Sequence, residues 1–229
     1  MENKSVKLIA GMIICIISFS GCASLSGLKF YSQELMMTLD SLDPEITQAV
    51  AVKSLKKNIH EAQLSAWQRK DGRWQRKFYP IPAVIGRSGF ARMGAKQEGD
   101  GHTPSGIYPL KQAFGYDPKI NTGLLYRQVT ENDFWVDDPA SIQYNQWVTG
   151  VLSANSFEHL KRSDSLYRYG IVVEYNTDPV VTFAGSAIFV HIWRGAHHPT
   201  AGCVAVSEEN IKRLLAWLKS SHHPVIVLN

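Results

Sequence analysis

Two side chains near the C-terminal end of the chain are of types that do chemistry together. In F-V-H-I-W-R-G-A-H-H-P-T-A-G-C, residues 189–203, a histidine and a cysteine stand on either side of a short loop. A cysteine attacks only as the thiolate, so it needs a neighbour that lowers its pKa or takes its proton, and imidazole is the usual partner. Cys203 therefore reads as a nucleophile and His191 as its base. The chain has three cysteines. Cys15 lies in an apolar N-terminal run and Cys22 directly after it, so Cys203 is left unpaired in the body of the protein, where an odd thiol reads as reactive.

The elements that must position this pair follow from the flanking residues. The apolar run 187–190 predicts a buried strand that holds His191 rigidly, and Pro199, Thr200, Ala201 and Gly202 are turn residues that present Cys203 on a bend. Gly202 lets the backbone approach a substrate. Ser207 followed by Glu208 and Glu209 reads as an N-cap with an acidic first turn. Ile211, Leu214, Leu215 and Leu218 recur at helical spacing behind it, which puts the thiol just ahead of a helix. A competing arrangement would gather His102, His191, His197, His198 and Cys203 around zinc. The tight ligand spacings of such sites are missing, so neither a metal nor a cofactor is expected. Asp137 and Asp138 precede a proline and read as turn caps.

The N-terminus bounds the cellular setting. Residues 1–7 carry two lysines, 8–19 form an apolar run, and Ser20, Gly21 and Cys22 follow. The pattern resembles a bacterial lipoprotein signal. It implies cleavage after residue 21, lipidation of Cys22 and a periplasmic location, with sorting to the outer membrane in a Gram-negative cell because Ala23 and Ser24 follow the cysteine. The alternative is an uncleaved membrane anchor, for which the run is short. On this reading residues 1–21 are a signal peptide, 22–45 a tether with a surface helix built on Leu35, Met36 and Leu39, and 46–229 the catalytic domain. The formal net charge of +4 is dispersed. It does not suggest nucleic acid as a partner and is compatible with an anionic wall polymer.

Strand signals dominate the remainder. Residues 48–53 alternate weakly. Residues 62–69 and 73–78 flank Asp71-Gly72, a hairpin signal. Residues 81–86 read as a strand whose Pro82 suggests a sheet edge, and 107–110, 134–138, 144–148, 169–175, 180–183 and 224–228 read as further strands. Residues 86–106 form a long glycine-rich loop without a phosphate-binding pattern, and such loops are more often functional than idle. The fold class is mainly β (α+β), with few helices.

Several separated segments, in order, resemble the L,D-transpeptidase catalytic domain of the YkuD type. They are E-G-D-G-H-T-P-S-G-I-Y, W-V-D-D-P-A-S-I-Q-Y-N, Y-G-I-V-V-E-Y-N, A-G-S-A-I-F-V-H-I-W-R and P-T-A-G-C-V-A-V-S. The resemblance implies a β-sandwich or barrel-like domain that acts on peptidoglycan stem peptides through a thioester on Cys203, with His191 as base. It assigns the backbone at Gly202 and Cys203 to the oxyanion, with Thr200 in a positioning role. It also implies an imidazole oriented by a main-chain carbonyl. The chain departs from the commoner signature at Ala201, where histidine is usual, and at Ala205, where arginine is usual. Arg194 is the candidate to bind an acidic substrate group in its place. With water as acceptor the same chemistry gives an L,D-carboxypeptidase, and a non-catalytic wall-binding lipoprotein is the reading from another class. Papain-like and NlpC-type peptidases place the cysteine before the histidine, the reverse of the order here.

Overall fold

The computed structural model describes residues 33–55 and 58–229. The signal-like segment and Cys22 lie outside the described residues. In chain order the elements are α1 (Gln33–Asp40), β1 (Gln48–Ser54), β2 (Glu61–Lys70), β3 (Arg73–Arg76), β4 (Ile81–Val84), β5 (Gly106–Pro109), β6 (Gln112–Gly115), β7 (Leu125–Gln128), β8 (Asp133–Val136), β9 (Trp147–Thr149), β10 (Phe157–His159), β11 (Tyr169–Val172), β12 (Phe189–Ile192), β13 (Val204–Val206), α2 (Glu208–Trp217) and β14 (Val225–Leu228). The protein is mainly β. One sheet of eleven strands, ordered β5-β14-β1-β2-β4-β13-β12-β11-β6-β7 with β3 beside β2, curls into a half-barrel, and β10-β8-β9 form a second, small sheet.

Alternation along β1 explains the two layers. Successive side chains point to opposite faces of a strand. Val50 and Val52 face the main core with Leu64, Ile226 and the α2 residues Ile211, Leu214 and Leu215, whereas Ala49 and Ala51 face α1, Trp67 and Trp74. At eight residues α1 is too short to persist alone, so it depends on packing. Leu39 is fully buried, a gain of about 2 kcal/mol. The last turn of α1 has no basic residue of its own. Its open carbonyls are taken instead by Trp74 Nε1 at 2.9 Å from Leu39 O, and by Arg69, which donates to the Leu39, Leu42 and Asp43 carbonyls at 3.0–3.1 Å.

The Asp71-Gly72 hairpin forms as its residues require. Both adopt positive φ, 51° and 74°, and Lys70 pairs Arg73 across the turn. Ser207 caps α2, its hydroxyl accepting the Asn210 N–H at 3.3 Å.

Three expectations are corrected. Residues 180–183 are loop, because the Asn176 side chain takes the Val181 N–H at 2.7 Å and donates to the Val181 and Gly185 carbonyls, and Phe183 sits at φ 64°. β4 is interior in strand order, yet its pairing with β13 is at Val84 with Ala205, so Pro82 has its ladder partner only on the β2 side and no N–H is missed. Between Cys203 and α2 runs β13, so the thiol leads into a strand rather than directly into the helix.

Candidate active site

β12 and β13 lie side by side in parallel, with Val190 opposite Val204 and His191 opposite Ala205. Val190, Val204 and Val206 enter the main core. Alternation then sends Phe189, His191, Cys203 and Ala205 to the other face. His191 and Cys203 are thus diagonal neighbours on one face of adjacent strands, and both line a cleft of about 190 Å³. Both are 7 % exposed. Ala205, opposite the imidazole, is the position where the commoner signature has arginine, and its small side chain leaves the cleft open there.

The imidazole is held from two sides. His191 Nδ1 lies 2.7 Å from the Ile192 carbonyl. A carbonyl can only accept, so Nδ1 carries the proton and Nε2 keeps its lone pair. The Tyr167 ring packs edge-on at 5.1 Å between centroids. Burial pushes the imidazole down to about 4 despite the lift from the Ile192 carbonyl. The Cys203 thiol donates to the Ala187 carbonyl at 3.2 Å and accepts the Phe189 N–H at 3.4 Å. Burial drives its pKa up to about 12, and the Glu158 carboxylate adds to the rise. The resting pair at neutral pH is therefore thiol and neutral imidazole, not thiolate and imidazolium.

The turn before Cys203 is tied to itself and to the 86–106 loop. Thr200 Oγ1 donates to the Cys203 carbonyl at 2.6 Å and accepts the Gly202 N–H at 3.2 Å. An oxyanion could use the Gly202 amide only by exchanging that contact. Thr200 N donates to Ile85 O at 3.0 Å, and Arg87 N donates to Thr200 O at 2.9 Å. Thr103, fully buried, accepts the Gly86 N–H at 2.8 Å and donates to the Gly202 carbonyl at 2.7 Å. A Cβ at Gly202 would stand 3.0 Å from the His102 carbonyl. Glycine at 202 is thus favoured by the packing of the loop against the turn, whatever freedom it also gives a substrate.

Arg194 lines the same cleft, with its side chain 65 % exposed and 3.6 Å from Asp164. Sequence reasoning missed three further residues there: Glu158, Arg162 and Tyr167. Arg162 is bidentate to Asp164, with both bonds at 2.7 Å, and lies over the Tyr167 ring. The Tyr167 hydroxyl donates to Glu158. No motif or spacing links these residues to the histidine and cysteine; β10 and the loop after it bring them in. Of the other histidines, His198 lines the same cleft, whereas His197 pairs with Glu61 at 2.9 Å and His102 lies 3.6 Å from Asp100. Asp138 caps turns, accepting from Ala140 N at 2.9 Å and Asn155 N at 2.8 Å.

Residues 55–227 match the family model described as YkuD, the L,D-transpeptidase catalytic domain. The chain belongs to this family. Among solved structures it is similar to the helical cell shape determining protein Pgp2 from Campylobacter jejuni and to a lysine-to-alanine mutant of that protein. Both are 17 % identical with a TM-score of 0.40, over 85 % of this chain and 54 % or 53 % of theirs. The chain thus spans about half the length of those proteins. No curated protein matches it.

Proposed function

We propose that this L,D-transpeptidase domain acts on peptidoglycan stem tetrapeptides with Cys203 as nucleophile and His191 as general base. The observation that carries this is the Nδ1 contact to the Ile192 carbonyl, which leaves Nε2 as the basic nitrogen in the cleft that Cys203 shares. As Sγ attacks the carbonyl of the third residue, its proton passes to Nε2. The tetrahedral intermediate collapses with cleavage of the C–N bond, and the departing D-alanine amine takes that proton. An acceptor amine then attacks the thioester and the thiol is restored. Because both groups rest neutral, proton transfer accompanies attack rather than preceding it. Thr200 fixes the turn that carries the thiol. The N-terminal pattern supports attachment of the protein to a bacterial membrane through lipid on Cys22, facing the wall; fatty-acid labelling that persists in a Cys22→Ser chain would overturn that part.

The test is incubation of the protein, and of its Cys203→Ala form, with disaccharide-tetrapeptides, and identification of the products by mass spectrometry. Dimers joined through third-position residues, or exchange of the terminal D-alanine for another D-amino acid, are expected from the wild type alone. Tripeptide as sole product would make water the acceptor and the protein an L,D-carboxypeptidase. Equal conversion by both forms would refute the thiol mechanism.

A further inference from the structure

Glu158 is placed where a thiol enzyme gains nothing from an anion. It stands on β10, half-buried, and lines the cleft with Cys203 and His191. One of its oxygens accepts the Tyr167 hydroxyl, and the residue lines the cleft. Among the described residues it forms no ion pair. Arg162 attracts it through space but gives both its guanidinium bonds to Asp164. Two further carboxylates, Asp137 and Glu98, add negative potential at Glu158 rather than relieving it. A carboxylate drawn out of water without a hydrogen-bonded cation is costly. Here it also opposes the step that the site must perform, because a developing thiolate is repelled by it.

Both costs vanish when a cation occupies the cleft. We propose that Glu158 binds an ammonium group of the acyl-donor peptide, and that seating this cation beside Cys203 turns on the nucleophile. The inference rests on the thiol-transfer reading above and adds to it the residue that recognises the donor and a coupling between recognition and reactivity. The ligand class is a peptide with a primary ammonium close to the carbonyl that is attacked. Arg162 and Arg194, both paired with Asp164, line the same cleft. Support comes from the carboxylate, pushed up by burial against the Tyr167 hydrogen bond, and from the thiol, pushed up by burial first and by the Glu158 charge second. Neutralising Glu158 removes the second of these.

The experiment has two arms. In the first, wild-type protein is given disaccharide-tetrapeptide whose third-position side-chain amine is free, or the same peptide with that amine acetylated. We expect kcat/KM to favour the free amine by about tenfold or more, as charge-assisted hydrogen bonds do, and Glu158→Gln to abolish the preference. In the second, Cys203 is alkylated with iodoacetamide across a pH series without peptide. Glu158→Gln should alkylate faster, roughly tenfold for each unit by which the thiol pKa falls. A merely structural role for Glu158 would not speed this reaction. Equal turnover of both peptides by the wild type would overturn the ammonium assignment and leave the transferase reading intact. Turnover of neither would overturn both. Unchanged or slower alkylation of a folded Glu158→Gln would overturn the coupling, and the wild-type peptide comparison needs no variant to fold.

Discussion

Replacing Thr103 by valine removes one oxygen and keeps the shape of the side chain, and the structure says where the loss falls. The hydroxyl accepts the Gly86 N–H and donates to the Gly202 carbonyl, at a position with no exposure. Valine leaves both backbone groups unpaired. Water cannot replace the hydroxyl on the Gly86 side, because even a Cβ at Gly86 would lie 2.3 Å from the Gly101 carbonyl. Each orphaned buried group costs about 1–3 kcal/mol, and the added methyl returns part of this. The expected loss is about 3 kcal/mol of unfolding free energy, or a fall in Tm of about 6–12 °C for a domain of this size. Urea unfolding followed by tryptophan fluorescence measures it. Because Gly202 immediately precedes Cys203, the rate of Cys203 alkylation should change as well. Thr103→Ser keeps the hydroxyl and loses only a methyl, so its cost should be near 1 kcal/mol. A Thr103→Val protein within about 0.5 kcal/mol of wild type, with normal alkylation, would show that the 86–106 loop does not hold the catalytic turn through this residue.

Asp133 should govern acid stability of the small sheet. Burial alone would raise its pKa, but hydrogen bonds from Thr149 at 2.5 Å, Trp147 at 2.8 Å and Thr130 at 2.8 Å outweigh this and hold it well below the usual carboxylate range. With the folded pKa depressed, its stabilisation is complete above the unfolded value near pH 4 and drains away as pH falls further. Asp133→Asn should lose about 3 kcal/mol at neutral pH by breaking this network. It should also show a flatter stability profile below pH 4 in urea titrations; a parallel profile would refute the assignment. Arg194→Ala should lower turnover of tetrapeptide with little effect on alkylation of Cys203, since the side chain is largely exposed and pairs with Asp164. Unchanged turnover would remove Arg194 from the substrate site.

What the sequence disclosed was local. Asp71-Gly72 announced its hairpin because both residues tolerate positive φ, and Ser207 announced its helix because its hydroxyl can reach the third amide beyond it. His191 and Cys203 stood out by type. What stayed hidden depends on partners distant in the chain. The parallel pairing of β1 with β14 joins opposite ends of the domain, and nothing near Gln48 foretells it. Glu158, Arg162 and Tyr167 come to the cleft through a three-residue strand of the small sheet, too short to give a period. Residues 180–183 had the right composition for a strand, and one asparagine side chain claimed their backbone first.

The same dependence explains why the site is quiet at rest. Cys203 shares its cluster with Phe114, Trp135, Leu160, Tyr167 and Phe189, so the packing that orients the thiol also strips it of water. With its pKa pushed up by burial, the thiol rests almost wholly protonated at neutral pH. An unpaired, solvent-accessible cysteine would otherwise be exposed to oxidation and exchange. A buried neutral thiol beside a buried neutral imidazole avoids that hazard, and leaves activation to whatever enters the cleft. Reactivity should therefore follow occupancy of the cleft more closely than it follows pH.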